Sequence, residues 1–499
     1  MKNAIPRAWR VMILALALAG TALPHSSLMA VTNTYYVDLA APASAAPYSS
    51  WNTAATSILD GVSQALAGYG GGVDCLVLVT NGIYALTNTI YITKSITVRS
   101  VGGPTVTIVD ANASSSMPQR VFVFSNACSG AVLDGFTIKG GCTLGRPRNH
   151  PDNPPPTNCP SGDPGAGICM LGGTVINCHV AFNTTYWYAA GIWMNAGLVE
   201  NCLIYSNEVP STAHDGCCNW PNAVGGVYIG GANATVQNCE IFGNIGRGAG
   251  WGPAGGAGVG LMSGKLLNSS VHHNNLYGGF GGSGINMDPG SGGLVSNCLV
   301  YGNGGAPGAG RGTGIWAGSG KIVDTIITNN SGGSWPVDTA NAVTLQNVLI
   351  ANHPGQISIR PWGGGTMDNC TMAGNGYGVD RQNGPTFVMR NCINTNPSGA
   401  FYTGAGANLT IVMSNCLSTT LSGAGITSVD SINTDPMFVD ATGANFRLQK
   451  KSPCVDSGII TEWMTAARDL DGVKRVRGPC VDMGCYEAAA NPGTLILLR

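Results

Sequence analysis

Between residues 170 and 420, apolar and polar positions alternate in short bursts that restart at intervals. Residues 191–207 read GIWMNAGLVENCLIYSN, and residues 226–244 read GVYIGGANATVQNCEIFGN. In the first stretch Ile192 and Met194 alternate with polar or outward positions, Val199 follows a break, and Cys202 and Ile204 follow a bend at Asn201. Val236, Cys239 and Ile241 repeat this around Asn238, as do Val295, Cys298 and Val300 around Asn297. A spacing of two is that of a strand with one buried face, so each unit predicts three short strands. The bend residue recurs as Asn177, Asn201, Asn238, Asn268, Asn297, Asp324, Asn347, Asn369, Asn391 and Asn415, with a minimum interval of about 22–24 residues. A period in that range predicts a solenoid. Coils stacked at the ~4.8 Å strand spacing would form three parallel sheets with equivalent side chains lying over one another. On this reading the bend Asn bonds its own copy one coil away. Cys178, Cys202, Cys239, Cys298, Cys370, Cys392 and Cys416 form an inward row. They are expected to be buried and unbridged, because stacked parallel side chains fit the disulfide torsion poorly.

A second Asn closes the third strand at Asn183, Asn207, Asn244, Asn274, Asn303, Asn330 and Asn375, and each large insertion follows it. Residues 208–225, 245–257, 275–283 and 304–313 therefore leave from one corner, and the Pro-rich residues 142–165 resemble them in position. One decorated edge on a repetitive scaffold is where function is expected. Residues 52–68, NTAATSILDGVSQALAG, place Ile58, Leu59, Val62, Ala65 and Leu66 at helical spacing and predict a helix capping the first coil. Beyond residue 440 the repeat breaks, which predicts an irregular C-terminal cap over residues 441–499.

Composition narrows the function classes. Charged residues make up only 10% of the chain and the net charge is −1, which gives no basic footprint for nucleic acid. Residues 1–30 carry Lys2, Arg7 and Arg10, then an apolar run over residues 11–22, then small residues. That order is expected of a secretory signal peptide cleaved after Ala22 or Ala30. No later stretch approaches the ~20 apolar residues of a membrane helix, so no membrane-spanning segment is expected in the mature chain. The 17 cysteines are an odd number, which in an exported chain suggests a few disulfides and at least one free thiol. Cys142 with Cys159 is a plausible loop staple, Cys217 and Cys218 pair with each other or separately, and Cys169 has no assignment.

Residues 35–440 resemble the right-handed parallel β-helix proteins of the pectate-lyase-like superfamily. The tail motifs DPMFVD, FRLQ, SPCVDSG, DLDG and VDMGCYE resemble the ending of bacterial surface proteins called choice-of-anchor Q domain proteins. In that family Ala usually stands at the positions of Cys454 and Cys485, so the resemblance implies a disulfide between them. The fold class expected is all-β, a single right-handed parallel β-helix over residues 31–440, helix-capped at its N-terminus and followed by the cap or anchor-type region. Relatives of this fold include polysaccharide lyases, glycoside hydrolases and adhesins, and the fold does not choose among them.

The outward residue of each first strand gives a stripe of Trp193, Tyr228, Gly260, Asn286 and Trp316, with Trp251 on an adjoining loop and Asp288 beside it. Exposed rings at coil spacing suit sugar stacking; the alternative is that they pack beneath the Gly-rich insertions. Ionisable groups on that edge are sparse: His214, Asp215, Arg247, His273, Asp288, Arg311 and Asp338. Hydrolysis needs two carboxylates facing one bond, and Asp215 and Asp288 sit about two coils apart. A lyase needs a base and a group to neutralise a uronate, which Arg247, His273 and Arg311 can supply. His272 and His273 are adjacent on a strand, so they are expected to face opposite ways and not to share a metal ion. No cofactor is identified. The expected function is an exported monomer that binds a polysaccharide or cell-surface glycan, in its catalytic form a lyase acting on an acidic glycan. The alternative is a non-catalytic, adhesin-like surface protein.

Overall fold

The computed structural model describes residues 32–71, 73–144, 164–185, 188–210, 224–247, 256–277, 281–289, 292–305, 312–382, 384–404 and 407–488. Trp251, Arg311, His214, Asp215, Cys159, Cys217, Cys218 and the expected signal segment lie outside them. The chain coils as a right-handed parallel β-helix, with parallel pairing throughout its stacked strands. First-strand residues stack in strict register: Ile168 on Ile192, then Val227, Val259, Ile285, Ile315, Val337 and Ile359. Third-strand residues do the same from Val180 through Ile204, Ile241, Val271, Val300 and Ile327. These rows point inward and form one continuous apolar core.

The sheet count differs from the expected three. First and second strands belong to one bent 25-stranded sheet, and third strands form a separate 13-stranded sheet. They join because the backbone runs on as strand through Ile192–Glu200 and Val227–Gln237, with a bulge between Met194 and Ala196. A small third sheet pairs Ile245–Arg247, Asn275–Tyr277 and Gly304–Gly305. Those segments had been assigned to insertions, so the loops leave the coils a few residues later than the sequence suggested.

The two Asn rows do different work. All ten first-bend residues are left-handed, with φ between 49° and 58°. Asn and Asp tolerate that region better than other side chains bearing a Cβ. Their amides pair between neighbouring coils only in places, as from Asn297 to Asn268 (2.9 Å) and Asn391 to Asn369 (3.1 Å). The unbroken amide ladder lies instead in the second row, where Asn183, Asn207, Asn244, Asn274 and Asn303 are fully buried. Each Nδ2 donates to the Oδ1 of the next Asn at 2.9–3.0 Å, from Asn183 to Asn330. The same Oδ1 also accepts the backbone N–H of the preceding Asn. At the next coil His353 replaces the amide, its Nε2 accepting from Asn330 and its Nδ1–H donating to Asn375 Oδ1.

The Cys row is buried and unbridged as expected. Each thiol follows the left-handed bend and contacts the carbonyl two residues earlier, as Cys202 does with Glu200 (3.2 Å). Ser269 and Thr325 fill the same position and donate to Leu267 and Val323. The row is thus a small hydrogen-bonding residue that ties off the bend. Cys454 and Cys485 correct the resemblance-based pairing: both are free, buried in separate apolar clusters. A core already packed around each thiol needs no bridge.

At the N-terminus, the helix Ile58–Gly68 starts at Ser57, whose hydroxyl accepts from Asp60 N (3.1 Å), and buries Ile58, Val62 and Ala65 against the first coil. The C-terminal region lies along the flank rather than across the end. Its hairpin of Phe438–Asp440 and Asn445–Leu448 and the residues up to 488 pack on the outer face of the third strands, over Ile326, Leu349, Ala373, Ile393 and Leu417. First-bend asparagines hold it there: Asn347 donates to Arg468 O, Asn369 to Asp482 O, Asn391 to Ile459 O and Asn415 to Ser457 O. Among the described residues no helix is long and apolar enough to cross a membrane.

Two predictions follow from the buried rows. Burial pushes His353 down to about 4, and protonation would also turn Nε2 from an acceptor into a second donor facing Asn330. Because the folded value lies below the unfolded ~6.5, its contribution is complete above pH 6.5 and is lost as pH falls towards 4. His353→Asn should therefore gain up to about 3 kcal/mol relative to the parent across that window, read from unfolding curves at each pH. The difference isolates His353 from Asp288 and Glu487, whose carboxyls are pushed up to about 7 and act with opposite sign. An equal pH dependence in both proteins would refute the assignment. The seven row cysteines should resist alkylation in the native protein while the half-buried Cys480 reacts, and all should react in denaturant. Recovery of any of the seven as a disulfide would refute the unbridged row.

Candidate functional site

The outward row of the first strands runs in register from Cys169 through Trp193, Tyr228, Gly260, Asn286 and Trp316 to Asp338 and Arg360. Asp380 extends it, one residue after Val379, which pairs with Ile359. Its N-terminal half is packed, not displayed: Trp193 is 1% exposed, Tyr228 4% and Trp316 6%. Trp193 and Tyr228 join Val123, Cys169, Tyr188, Ala189 and Val224 in an apolar cluster. The Tyr188 and Tyr228 rings meet edge-on at 5.6 Å. The row stays closed at Gly260, where a Cβ would lie 2.7 Å from the Tyr228 ring. The stripe expected to stack on sugar is therefore interior packing, and Ala at Trp193 would open a cavity.

Polar groups continue the row. The Tyr228 hydroxyl donates to Asp288 Oδ2 (3.3 Å), Asn286 Nδ2 donates to Asp288 Oδ1 (3.1 Å), and Gly282 N donates to Asn286 Oδ1 (3.3 Å). Burial pushes the Asp288 carboxyl up to about 7, against the pull of those two side-chain donors. The Tyr228 hydroxyl is raised in turn, first by burial and then by the carboxylate beside it.

Of the residues proposed for lyase chemistry, the two that are described, Arg247 and His273, do not lie on this row. Arg247 lies in the small third sheet, its Nη2 3.5 Å from Glu208 Oε1 and its guanidinium 4.9 Å from the Tyr277 ring centroid. His273 sits at the bend leaving the third strand with φ 52°. That left-handed turn overturns the expectation that His272 and His273 face apart, because their Nδ1 atoms lie 2.9 Å from each other. His272 Nε2 in turn lies 2.9 Å from Glu240 Oε1. Burial, with His272 adding to it, holds His273 below the usual imidazole range. Among the described residues no group of three or more His, Cys, Asp or Glu could hold a metal ion. An aromatic ladder does exist on the third strands: Tyr205, Phe242, His272 and Tyr301 stack at 5.1, 5.2 and 4.6 Å. Its ring faces are spent on one another, which leaves edges for any ligand.

The cluster that sequence reasoning missed closes the outward row. Arg360 donates from Nε to Asp338 Oδ1 (2.9 Å) and from Nη2 to Asp338 Oδ2 (2.5 Å), a two-pronged pair buried on both sides. The guanidinium lies 3.7 Å from the Trp335 ring centroid and 5.2 Å from that of Trp362. Trp335 Nε1 donates to Asp380 Oδ2 (2.8 Å), which also accepts from Gln382 Nε2 (3.2 Å). Asp380 Oδ1 is buried with no hydrogen-bond partner. Burial raises the Asp380 carboxyl, and the Trp335 hydrogen bond and Arg360 pull it back. Trp362 is 42% exposed. The signal was present as WPVDT and IRPWG on successive coils, but only Asp338 stood out, because the pairing depends on register.

The family described as right handed beta helix region matches residues 81–331. No curated protein matches the chain. Among solved structures, the Agl-KA catalytic domain is 18% identical, with a TM-score of 0.42, covering 78% of this chain and 70% of that one. The mannuronan C-5 epimerase AlgE6 A-module of Azotobacter vinelandii is 12% identical, with a TM-score of 0.42, covering 74% and 94%. The Dettilon tailspike protein is 14% identical, with a TM-score of 0.35, covering 79% and 68%. The family match spans half of the chain and agrees with the parallel register of its coils, so the protein belongs to the right-handed β-helix family.

Proposed function

We propose that this chain is an exported polysaccharide-binding protein whose binding face is the C-terminal end of the outward first-strand row, at Trp335, Arg360, Trp362 and Asp380. The observation that carries the reading is the exposed Trp362 ring beside a buried Asp338–Arg360 pair and an Asp380 carboxyl with one oxygen unsatisfied. A buried acceptor lacking a donor costs roughly 1–3 kcal/mol, and such a deficit is retained where a ligand completes it. An apolar ring edged by fixed polar groups is suited to a sugar, which presents C–H faces and a rim of hydroxyls.

Catalysis finds less support than binding. Both Asp338 oxygens are engaged by Arg360, which leaves Asp380 without a second free carboxylate in the cluster. The lyase reading through Arg247, His273 and Arg311 is weakened where those residues are described, since Arg247 pairs with Glu208 and His273 with His272. The specific engagement of Asp338 therefore favours the non-catalytic surface protein as the second reading. Export rests on the N-terminal sequence, and a glycan outside the cell is the partner that suits it.

Substitution separates the two Trp positions. Trp362→Ala should weaken polysaccharide binding on the order of tenfold with little change in Tm, taking a stacking contact as about 1.4 kcal/mol. Trp193→Ala should instead cost about 3–5 kcal/mol of stability, as expected of a buried ring. Parallel calorimetry and binding measurements check both. Unchanged binding by a folded Trp362→Ala protein would move the site elsewhere.

A further inference from the structure

We infer that the ligand of this face is a neutral, hydroxyl-rich glycan and not a polyuronate, an inference that rests on the binding reading above. The hydrogen-bond inventory of the cluster is one-sided. Four of its donors are engaged within the protein: Arg360 Nε and Nη2 on Asp338, and Trp335 Nε1 and Gln382 Nε2 on Asp380 Oδ2. The neighbouring Arg381 turns its Nη2 to the carbonyls of Leu409 (3.2 Å) and Ala424 (2.6 Å). Beside the Trp335 and Trp362 rings what lacks a partner is an acceptor, Asp380 Oδ1, while the unpartnered Arg381 Nε belongs to the side chain turned to the Leu409 and Ala424 carbonyls. A sugar hydroxyl supplies the missing donor, whereas a uronate carboxylate adds only acceptors.

Charge points the same way. The row carries three carboxyl groups, Asp288, Asp338 and Asp380, against one guanidinium, and that guanidinium is already neutralised by Asp338 in a buried pair. A uronate set beside Asp380 would meet a like charge in a poorly solvated site, where Arg360 is already paired with Asp338 and Arg381 is turned to backbone carbonyls. Binding a polyuronate would require breaking the Asp338–Arg360 pair, which strands a buried carboxylate. A neutral chain needs none of this. It places its C–H faces on Trp362 and its hydroxyls on the acceptor.

The test is biolayer interferometry of the full chain against immobilised dextran, glucomannan and xylan on one side and polygalacturonate and alginate on the other. Salt is held fixed, and each surface is run with and without calcium. The expected result is binding to at least one neutral surface, at least tenfold tighter than to either polyuronate, and weakened about tenfold in Trp362→Ala. Asp380→Asn removes the repelling charge and offers an amide donor, so the preference for neutral over acidic surfaces should shrink. A purely structural role for Asp380 would not change that ratio. Tighter binding to a polyuronate, dependent on Trp362 and with or without calcium, overturns the neutral-glycan inference while leaving the binding face in place. Binding to no surface, or binding indifferent to Trp362, overturns the face and this inference together.

Discussion

A buried side-chain amide must find both its donors and its acceptor inside the protein, and the Asn row from Asn183 to Asn330 meets that demand by stacking at the coil repeat. From Asn207 onward each Asn accepts two N–H groups from the coil before it and donates to the one after, so the register of one coil fixes that of its neighbour. The apolar rows reward any inward-facing side chain of suitable size, whereas the amides reward a single alignment. That asymmetry is why long and short coils share one core despite insertions of different length. The loops leave beyond the amide and the short strand that follows it, where the alignment has already been enforced.

The same alignment brings residues from successive coils together on the outer face. Asp338 and Arg360 stand one coil apart in direct register, and a bidentate pair forms because the coil spacing matches the reach of the two side chains. Trp335 and Trp362 come from opposite ends of their strands and close over the guanidinium from two sides. Nothing in either coil alone specifies this arrangement. It is a property of two units stacked without slip.

What could be read from the chain followed from local rules, and what could not depended on neighbours. The bends were visible as Asn and Asp at a fixed place after each second strand, and their left-handed φ was not. The buried Cys row was visible from alternation, and the N-terminal helix from its spacing. Which of the two Asn rows carries the ladder was not visible, since both recur with the same period and differ only in burial. Nor was the fate of Trp193 and Tyr228, because an outward residue on a strand is exposed only if no loop or neighbouring ring covers it. The tail was misplaced for a related reason: its break from the repeat marked where coiling stops but not where the chain then travels.

The tail's grip divides the solenoid into a part free to change length and a part that is not. The coils bearing Asn347, Asn369, Asn391 and Asn415 each hand an amide to a separate point between Ser457 and Asp482, and they are also the coils without large insertions. Duplicating or deleting one of them would misalign every later attachment by a full coil spacing. A coil gained or lost between Asn177 and Asn297 would leave those attachments intact. A change in repeat number is thereby tolerated by the half that carries the loops, while the half that carries Trp362 and Asp380 is held at constant length like the gauge end of a ruler.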